Sequence, residues 1–209
     1  MNDTPGLFLT FEGIDFTGKS TISKKVVELL HKEGYRVHWT REPGGSALAE
    51  NIRNVIINGE MDKTTEAMLF AAARNDHYQN TVLPRLHNGE IVISDRFYAS
   101  SYVYQGVVAD NLDTVKELHR LIGNPTPDHT FLITVTVAAL AERMKNREDH
   151  NRLDDYALNN LTKMSTGFFQ YKQEHDNCTT VYNDGLVDTA IYACLSKINT
   201  LIKRKGITL

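Results

Sequence analysis

Short apolar segments alternate with amphipathic segments along almost the whole chain. Five segments are short and rich in apolar and β-branched residues, which predicts strands. They are Leu7–Glu12, Tyr35–Thr40, Glu90–Ser94, Thr130–Thr136 and Thr179–Tyr182. The predicted helices are Thr21–Glu33, Ala47–Ile57, Thr64–His87 with an interruption near Asn75, Leu112–Ile122, Val137–Asn146, Asp155–Gln173 and Val187–Lys203. Strands that alternate with helices in this way predict an α/β fold, in which helices cover both faces of a five-stranded parallel sheet.

The first strand runs into a glycine-bounded loop, and the next predicted helix follows at once. Gly13, Gly18, Lys19 and Ser20 fit the phosphate-binding pattern G-x-x-x-x-G-K-[ST]. The glycines let the backbone turn its N–H groups toward a phosphate, and the helix adds the positive end of its dipole. Lys19 can reach the β- and γ-phosphates, and the Ser20 hydroxyl can ligate Mg²⁺. The segment therefore predicts binding of a nucleoside triphosphate.

Composition narrows the class of protein. The chain has 209 residues, of which 41% are hydrophobic and 23% charged, and its net charge is −3. These values are typical of one globular domain spanning residues 1–209 and argue against a general nucleic-acid-binding protein. There is no apolar run long enough to cross a membrane and no signal-peptide pattern. Cys178 and Cys194 lack the spacing of a metal or redox pair, so we expect a cytoplasmic protein.

Charged residues follow two of the predicted strands, at the sheet edge where ligands bind in such folds. Asp95 and Arg96 come after the strand EIVIS, where the acid can hold Mg²⁺ through water and the arginine can grip a phosphate. An ion pair that merely caps the strand is the alternative. Arg41 lies in TREPGGS, just after the second strand. Both positions predict contacts to a phosphorylated ligand.

Two further groups of residues suit recognition of a base and a sugar. Phe70 and Arg74 are four positions apart and share a helix face, so a ring and a guanidinium can act together on one base. A core Phe beside a surface Arg is the bland alternative. Tyr98, Tyr102 and Tyr104 cluster with polar residues after Arg96, and we expect Tyr98 and Tyr102 to lie in a half-buried helix.

A highly charged segment, AERMKNREDHNRLDDY, separates two predicted helices. It contains Arg143, Arg147 and Arg152, and we expect a mobile LID over about residues 143–155. A charged flap can close over a transferring phosphoryl group and exclude water, although a solvated loop would have the same composition. His150 in this segment is expected to be solvated.

Taken together, these motifs resemble the bacterial thymidylate kinases. The resemblance is carried by FEGIDFTGKST, TREPGGS, TEAMLFAAAR, ISDRFYASSYVYQG, PDHTFLITV and NRLDD, and it runs from Leu7 to the last helix. It implies the P-loop NTPase fold of nucleoside monophosphate kinases. It also implies transfer of a phosphoryl group from ATP to dTMP with Mg²⁺, in a homodimer with no nucleic-acid or membrane partner.

The resemblance also implies roles for individual residues. The catalytic residues would be Lys19, Arg96 and Arg152, and the metal would be held by Ser20 and Asp95. The ATP site would comprise Gly13, Ile14, Asp15, Phe16, Thr17, Gly18, Lys19, Ser20, Thr21 and Arg147. The dTMP site would comprise Asp15 on the 3′-hydroxyl, Phe70 and Arg74 on thymine, Arg96, Arg53 and Arg41 near the phosphate, and Pro43, Ser101, Gln105 and Tyr104 around the base and sugar.

Two positions depart from the family pattern. Phe16 stands in the phosphate loop where thymidylate kinases carry an arginine or a small residue, so the flap must supply the cation, and Arg152 fits that type. Phe97 replaces a common tyrosine after Asp95-Arg96 and loses its hydroxyl.

Three alternatives remain open from the residues. A deoxynucleoside kinase would need a carboxylate base, for which Glu12 or Asp15 could serve. A GTP-hydrolysing switch usually carries N-K-x-D, which this sequence lacks. A degenerate nucleotide binder is disfavoured by the intact Gly18-Lys19-Ser20 and Asp95-Arg96.

Overall fold

The computed structural model describes residues 5–145 and 160–208, and the fold is built on one parallel sheet. The strands are β1 (Leu7–Glu12), β2 (Val37–Arg41), β3 (Ile91–Asp95), β4 (His129–Thr134) and β5 (Cys178–Tyr182). Their order across the sheet is β2-β3-β1-β4-β5, and every neighbouring pair is parallel. The predicted α/β fold with a five-stranded parallel sheet is confirmed.

Helices pack on both faces of this sheet. They are α1 (Lys19–Lys32), α2 (Ala47–Asn58), α3 (Lys63–His77), α4 (Leu83–His87), α5 (Tyr98–Ser101), α6 (Leu112–Leu121), α7 (Val137–Lys145), α8 (Leu161–Glu174) and α9 (Val187–Lys205). Two π-helical segments, Tyr78–Val82 and Tyr102–Val108, continue α3 and α5. None of the described helices is long and apolar enough to span a bilayer.

The alternation of side chains along β1 assigns its residues to two cores. Leu7, Leu9 and Phe11 belong to the cluster formed with α1 and α9, whereas Phe8 belongs to the cluster formed with the segment after β3. Every residue of β1 is buried, because this strand lies at the centre of the sheet with helices on both sides. The edge strands β2 and β5 are only partly buried.

The long helix predicted over residues 64–87 is interrupted later than expected. The backbone remains α-helical through Asn75, and a wider turn follows at Tyr78–Val82, in which the Leu83 N–H donates to the Tyr78 carbonyl. Pro84 lies in the first turn of α4 and has no N–H to donate. A widened turn accommodates the proline ring without ending the helical run.

The helix after Arg96 is more deeply buried than expected. Tyr98 is 7% exposed and Tyr102 is 0% exposed, so neither is half-buried. They pack edge-to-face on Tyr171 of α8, with ring centroids 6.1 Å and 5.3 Å apart. Because α8 covers the helix after Arg96, one face of that helix packs in the core and the other is directed toward the carboxyl ends of the strands.

A cavity at the carboxyl ends of the strands

A cavity of about 320 Å³ opens at the carboxyl ends of β1, β2 and β3. In a parallel sheet these ends share one edge, so residues far apart in sequence meet there. The described residues lining the cavity are Asp15, Lys19, Ser20, Arg41, Glu42, Pro43, Arg53, Ile57, Phe70, Asp95, Arg96, Ser100, Tyr104 and Gln105. Four of these side chains are basic and three are acidic, so the lining is rich in charge despite its partial burial.

The loop between β1 and α1 has the backbone conformation of an anion-binding loop. Gly13, Phe16 and Gly18 have φ values of 139°, 67° and 88°, and α1 begins at Lys19. A side chain at Gly13 would collide with the Ile133 carbonyl, and a Cβ at Gly18 would lie 2.6 Å from the Asn183 amide nitrogen. Both positions therefore require glycine, whereas Phe16 occupies the left-handed region with a side chain.

Two side chains from the segments that follow β4 and β5 hold carbonyls of this loop. The Arg143 guanidinium donates to the carbonyls of Phe16 (3.3 Å) and Thr17 (3.1 Å) and to that of Asn183 (2.5 Å). The Asn183 amide donates to the Thr17 carbonyl at 2.8 Å. Arg143 lies within α7, so the loop is fastened to the helix that precedes the charged segment.

Lys19 is buried against the loop that it belongs to. Its Nζ lies 3.2 Å from Asp15 Oδ1 and 3.5 Å from the Ile14 carbonyl, and the residue is 5% exposed. Burial and the nearby Arg96 lower the pKa of Lys19, while Asp15 and Asp95 oppose that shift. The ammonium is thus held inside the cavity by the Asp15 carboxylate.

Asp15 joins the phosphate loop to the strand end of β3. Arg96 Nη2 donates to Asp15 Oδ1 at 2.5 Å, and the Tyr104 hydroxyl donates to Oδ2 at 3.2 Å. Burial alone would raise the pKa of Asp15, but the positive charges of Arg96 and Lys19 lower it well below its usual range. The carboxylate is therefore ionised and shared between two cations.

Arg96 has a left-handed backbone, with φ at 72°, and several contacts keep it in place. Its Nη1 donates to Ser100 Oγ at 2.9 Å and to the Gly13 carbonyl at 3.3 Å. Glu12, which is 0% exposed, accepts from the Phe97 N–H at 2.7 Å and from Ser100 Oγ at 2.6 Å. Because both oxygens of Glu12 are occupied, its carboxylate holds the turn after β3 and does not reach the cavity.

Two arginines and a proline form the wall next to β2. Arg41 Nη2 lies 3.1 Å and 3.0 Å from the two carboxylate oxygens of Glu50, and Arg53 Nη1 donates to the Pro43 carbonyl at 3.0 Å. Burial, and then the charge of Arg41, lower the pKa of Arg53. The Glu42–Pro43 peptide bond is cis. The predicted residues Arg41, Pro43 and Arg53 are thus brought together here.

The residues predicted to contact a base divide into two layers. Phe70, Tyr104 and Gln105 line the cavity, whereas Arg74 and Ser101 lie behind it. Arg74 is 3% exposed, and its guanidinium donates to Glu42, to the Phe97 carbonyl and to Ser101 Oγ. The alternative of a surface arginine beside a core phenylalanine is wrong, because Arg74 is buried and Phe70 borders the cavity.

One carboxylate oxygen suits a hydrated cation. Asp95 is 8% exposed, and its Oδ1 is buried without a hydrogen-bond partner within residues 5–145 and 160–208. A buried acceptor of this kind is costly unless a ligand, water or ion satisfies it. Ser20 lies in the first turn of α1 and is exposed on the same cavity. This donor set, a carboxylate oxygen at the end of β3 and a hydroxyl oxygen next to the phosphate-binding loop, fits Mg²⁺.

Three predicted residues are outside the structural description. Arg147, Arg152 and His150 fall within residues 146–159, so the predicted flap remains a prediction. Conversely, Glu42, His77, Ser100 and Asn183 hold the site together and were assigned no role from the sequence, and Glu12, named there only as a candidate base, holds the turn after β3. For His77 there was a signal, since it follows Arg74 by three positions and shares its helix face.

Comparison with known proteins gives one consistent result. The family model described as thymidylate kinase matches residues 11–188. The thymidylate kinase of Ruegeria pomeroyi is 41% identical over 175 residues, which cover 81% of this chain and 83% of that protein. The thymidylate kinase of Mycoplasma capricolum is 37% identical over 210 residues, which cover 95% and 99%.

A solved structure agrees with these relatives. The crystal structure of thymidylate kinase from Ehrlichia chaffeensis superposes with a TM-score of 0.74 and 27% identity, over 92% of this chain and 98% of that one. The family model spans the phosphate loop and the cavity, and the relatives and the solved structure also cover most of the chain. This chain therefore belongs to the thymidylate kinase family.

Proposed function

We propose that this protein transfers the γ-phosphoryl group of ATP to dTMP and releases dTDP and ADP. One observation carries the proposal beyond family membership. Lys19 of the phosphate loop and Arg96 of the strand end of β3 meet on one carboxylate, Asp15. A phosphate donor bound by the loop and a phosphate acceptor bound by Arg96 would thus face each other in a single cavity.

The charges of the cavity suit two phosphorylated substrates. Lys19 would bind the β- and γ-phosphates, Arg96 the acceptor phosphate, and Arg53 and Arg41 the outer side of that phosphate. Arg41 and Arg53 currently bind Glu50 and the Pro43 carbonyl, and an arriving phosphate would compete for their remaining donors. Asp15 keeps the two central cations in position until the substrates arrive.

Chemistry at this site needs positioning and charge neutralisation more than proton transfer. The attacking atom is an oxygen of the acceptor phosphate, which is largely ionised at neutral pH, so no strong base is required. Ser20 and Asp95 would hold Mg²⁺, which supplies further neutralisation of the phosphates when bound. Arg152, with Arg147, remains the predicted cation for the transferring phosphoryl group.

A base of suitable shape would stack on Phe70, with Gln105 and Tyr104 at its edges. Gln105 is held by Glu66, to which its Nε2 donates at 3.0 Å. Tyr104 lies against Arg96 and Asp15, so its ring would crowd a ribose 2′-hydroxyl. These contacts favour a deoxyribonucleotide with a pyrimidine base.

The nucleoside kinase alternative is not favoured by the geometry. It needs a carboxylate that can accept a proton from a sugar hydroxyl. Glu12 is completely buried with both oxygens engaged, and the pKa of Asp15 is too low for a base because Arg96 and Lys19 flank it. Neither residue suits the role that this alternative requires.

An acceptor panel with ATP and Mg²⁺ tests the proposal. Release of ADP is measured with dTMP, dUMP, dCMP, dGMP and thymidine, and dTMP should have the highest kcat/KM. Turnover of thymidine without turnover of dTMP would contradict the proposal. Omission of Mg²⁺ should abolish turnover.

We further propose a homodimer that acts in the cytoplasm on ATP and dTMP. Leu48 and Val55 of α2 and Met68 of α3 are each more than half exposed, on helices that pack against each other. Burial of these side chains between two copies would account for their exposure. Sedimentation equilibrium would give twice the chain mass, and a monomer at micromolar concentration would contradict this part.

A further inference from the structure

A buried chain of polar groups runs behind the cavity from β2 to the segment after β3. Its members are Thr40, His77, Glu42 and Arg74, with exposures of 4%, 0%, 5% and 3%. Buried charges and imidazoles are costly unless every polar atom finds a partner. The hydrogen-bond partners of each residue therefore show which neighbours fix its position.

Glu42 is the centre of this chain, and its two oxygens have different partners. Oε2 accepts from Arg74 Nε at 2.8 Å, and Oε1 lies 2.9 Å from His77 Nδ1. Arg74 and His77 are three positions apart on α3, so both reach Glu42 from the same helix face. Glu42 itself lines the cavity.

The contacts of His77 define its proton positions. A carboxylate only accepts hydrogen bonds, so His77 Nδ1 carries a proton toward Glu42. Nε2 lies 2.7 Å from Thr40 Oγ1, and in the neutral ring it accepts from that hydroxyl. The imidazole thereby connects the end of β2 to the acid that holds Arg74.

His77 has no room to turn away from these partners. A Cβ at Gly45 would meet the Cδ2 and Nε2 atoms of the imidazole at 2.6 Å, so the ring packs directly on the backbone of that turn. The Thr81 hydroxyl donates to the Gly45 carbonyl at 2.8 Å and fixes the same turn. The N–H group at Nδ1 is therefore directed only at Glu42.

We infer that His77 is a positioning residue for base recognition. By holding Oε1 of Glu42, it keeps Oε2 directed at Arg74 Nε, while Ser101 and the Phe97 carbonyl hold Arg74 Nη2. The guanidinium plane is then fixed from both sides behind the cavity. This inference rests on the proposed function and on the role that the family resemblance implies for Arg74, a hydrogen bond from its guanidinium to the edge of thymine.

The consequence is chemical selectivity at one position of a pyrimidine. A guanidinium only donates hydrogen bonds, so it suits the O4 carbonyl of thymine and opposes the amino group that cytosine carries there. A guanidinium free to tilt would bind thymine less tightly and oppose cytosine less strongly. His77 should therefore affect both the KM for dTMP and the preference for dTMP over dCMP.

Two substitutions separate the two nitrogens of the ring. In His77→Asn the amide can replace Nδ1 and keep the contact to Glu42, so KM for dTMP and selectivity should stay within about twofold of the wild type. In His77→Gln the amide reaches the position of Nε2 and leaves Glu42 without its second donor. We expect about a tenfold higher KM for dTMP and about a tenfold lower preference over dCMP, with KM for ATP unchanged.

A buried histidine elsewhere provides the matched control. His129 on β4 is 4% exposed and lies 2.9 Å from Thr179 Oγ1, away from the residues that line the cavity. His129→Asn and His129→Gln should change the melting temperature without changing base selectivity. A role of His77 in stability alone would give the same pattern as these controls.

Equal behaviour of His77→Asn and His77→Gln in base selectivity would overturn the inference, as would an unchanged KM for dTMP in His77→Gln. If His77→Gln does not fold, Glu42→Gln provides the same test, because it weakens the acceptor for Arg74 at nearly constant shape. Unchanged KM and selectivity in Glu42→Gln would also overturn it. Failure of the wild type to phosphorylate dTMP would count against the proposed function instead.

Discussion

At the scale of single residues, the site is organised by carboxylates that hold cations in place. Asp15 binds both Lys19 and Arg96, and Glu42 binds Arg74. Each pair is partly or wholly buried, so a charge that loses all of its partners is left uncompensated. Residues with catalytic and recognition roles therefore depend on the carboxylates that hold them in place.

Lys19 can be tested without disturbing the rest of this arrangement. In Lys19→Ala, Asp15 keeps Arg96 as a partner, while the γ-phosphate loses its buried cation. We expect kcat to fall by about two or more orders of magnitude, with dTMP affinity nearly unchanged. Steady-state kinetics and calorimetric dTMP binding measure the two effects.

The control for this substitution lies nearly two turns further along the same helix. Lys25 is exposed and pairs with Glu28 at 2.8 Å, so Lys25→Ala should keep full activity. Near-normal turnover of Lys19→Ala would refute the role assigned to Lys19.

Sequence reasoning reached the cavity-lining residues more readily than those that support them. Lys19, Arg96 and Phe70 belong to local motifs, and a motif can be recognised from neighbouring positions alone. Glu12 and Asn183 bind Phe97 and Thr17 across about 85 and 166 positions of sequence, so no local pattern reveals these contacts. Arg74 was found, but its position behind the cavity depends on Glu42 and was not foreseen.

At the scale of elements, α3 carries both Phe70 and Arg74, and the Asp62 side chain caps its N-terminus. Asp62 Oδ1 accepts from the N–H groups of Thr64 at 2.9 Å and Thr65 at 3.1 Å. A capping carboxylate satisfies free donors and complements the helix dipole. The helix therefore has a fixed start two turns before the first site residue.

The cap predicts a stability effect that is separate from catalysis. Asp62→Ala should lower the melting temperature by a few degrees, because two backbone donors lose their acceptor. KM for dTMP should not change, since Glu42 and Ser101 anchor Arg74 independently of the cap. Calorimetry and kinetics on the same sample make the comparison.

Asp62→Asn retains a side-chain oxygen as an acceptor, so its melting temperature should lie between those of the wild type and Asp62→Ala. An unchanged melting temperature in Asp62→Ala, or a large change in KM, would argue against this view of α3.

The strands and most helices were predicted to within a few residues, since apolar periodicity is a local property. The two π-helical segments were not predicted. The first depends on the position of Pro84 relative to the preceding turn, and the second on the packing of Tyr102 against α8. The apolar periodicity of the sequence shows neither.

At the scale of the whole molecule, buried histidines make folding sensitive to acid. Burial, and then the charges of Arg74 and His175, lower the pKa of His119 to about 3. Burial, and then Lys197, lower the pKa of His129 to about 4. His119 Nδ1 also lacks a hydrogen-bond partner within the described residues, so a proton added there would find no acceptor.

These shifts predict the sign of a pH effect on stability. The unfolded chain binds protons near the ordinary histidine pKa of 6.5, whereas the folded chain does so only near 3 to 4. Stability is therefore complete above pH 6.5 and is lost as the pH falls below it. Each of these two histidines should reduce the free energy of unfolding by roughly 1–2 kcal/mol between pH 7 and pH 5.

Urea denaturation at the two pH values measures this difference. His119→Gln should reduce the difference in the free energy of unfolding between the two pH values, because glutamine does not titrate. His31→Gln, at an exposed position, should leave that difference unchanged. A wild-type free energy of unfolding that is equal at pH 5 and pH 7 would contradict the prediction.

The sequence by itself determined the α/β class, the phosphate loop and the family, because each depends on periodicity or on residues close together in the chain. Only the tertiary structure decided which of the predicted residues line the cavity and which stand behind it. Parallel strands bring residues from distant segments to one edge, and burial there forces each charge to find a partner. Asp15 between Lys19 and Arg96, and Glu42 between Arg74 and His77, are products of that constraint.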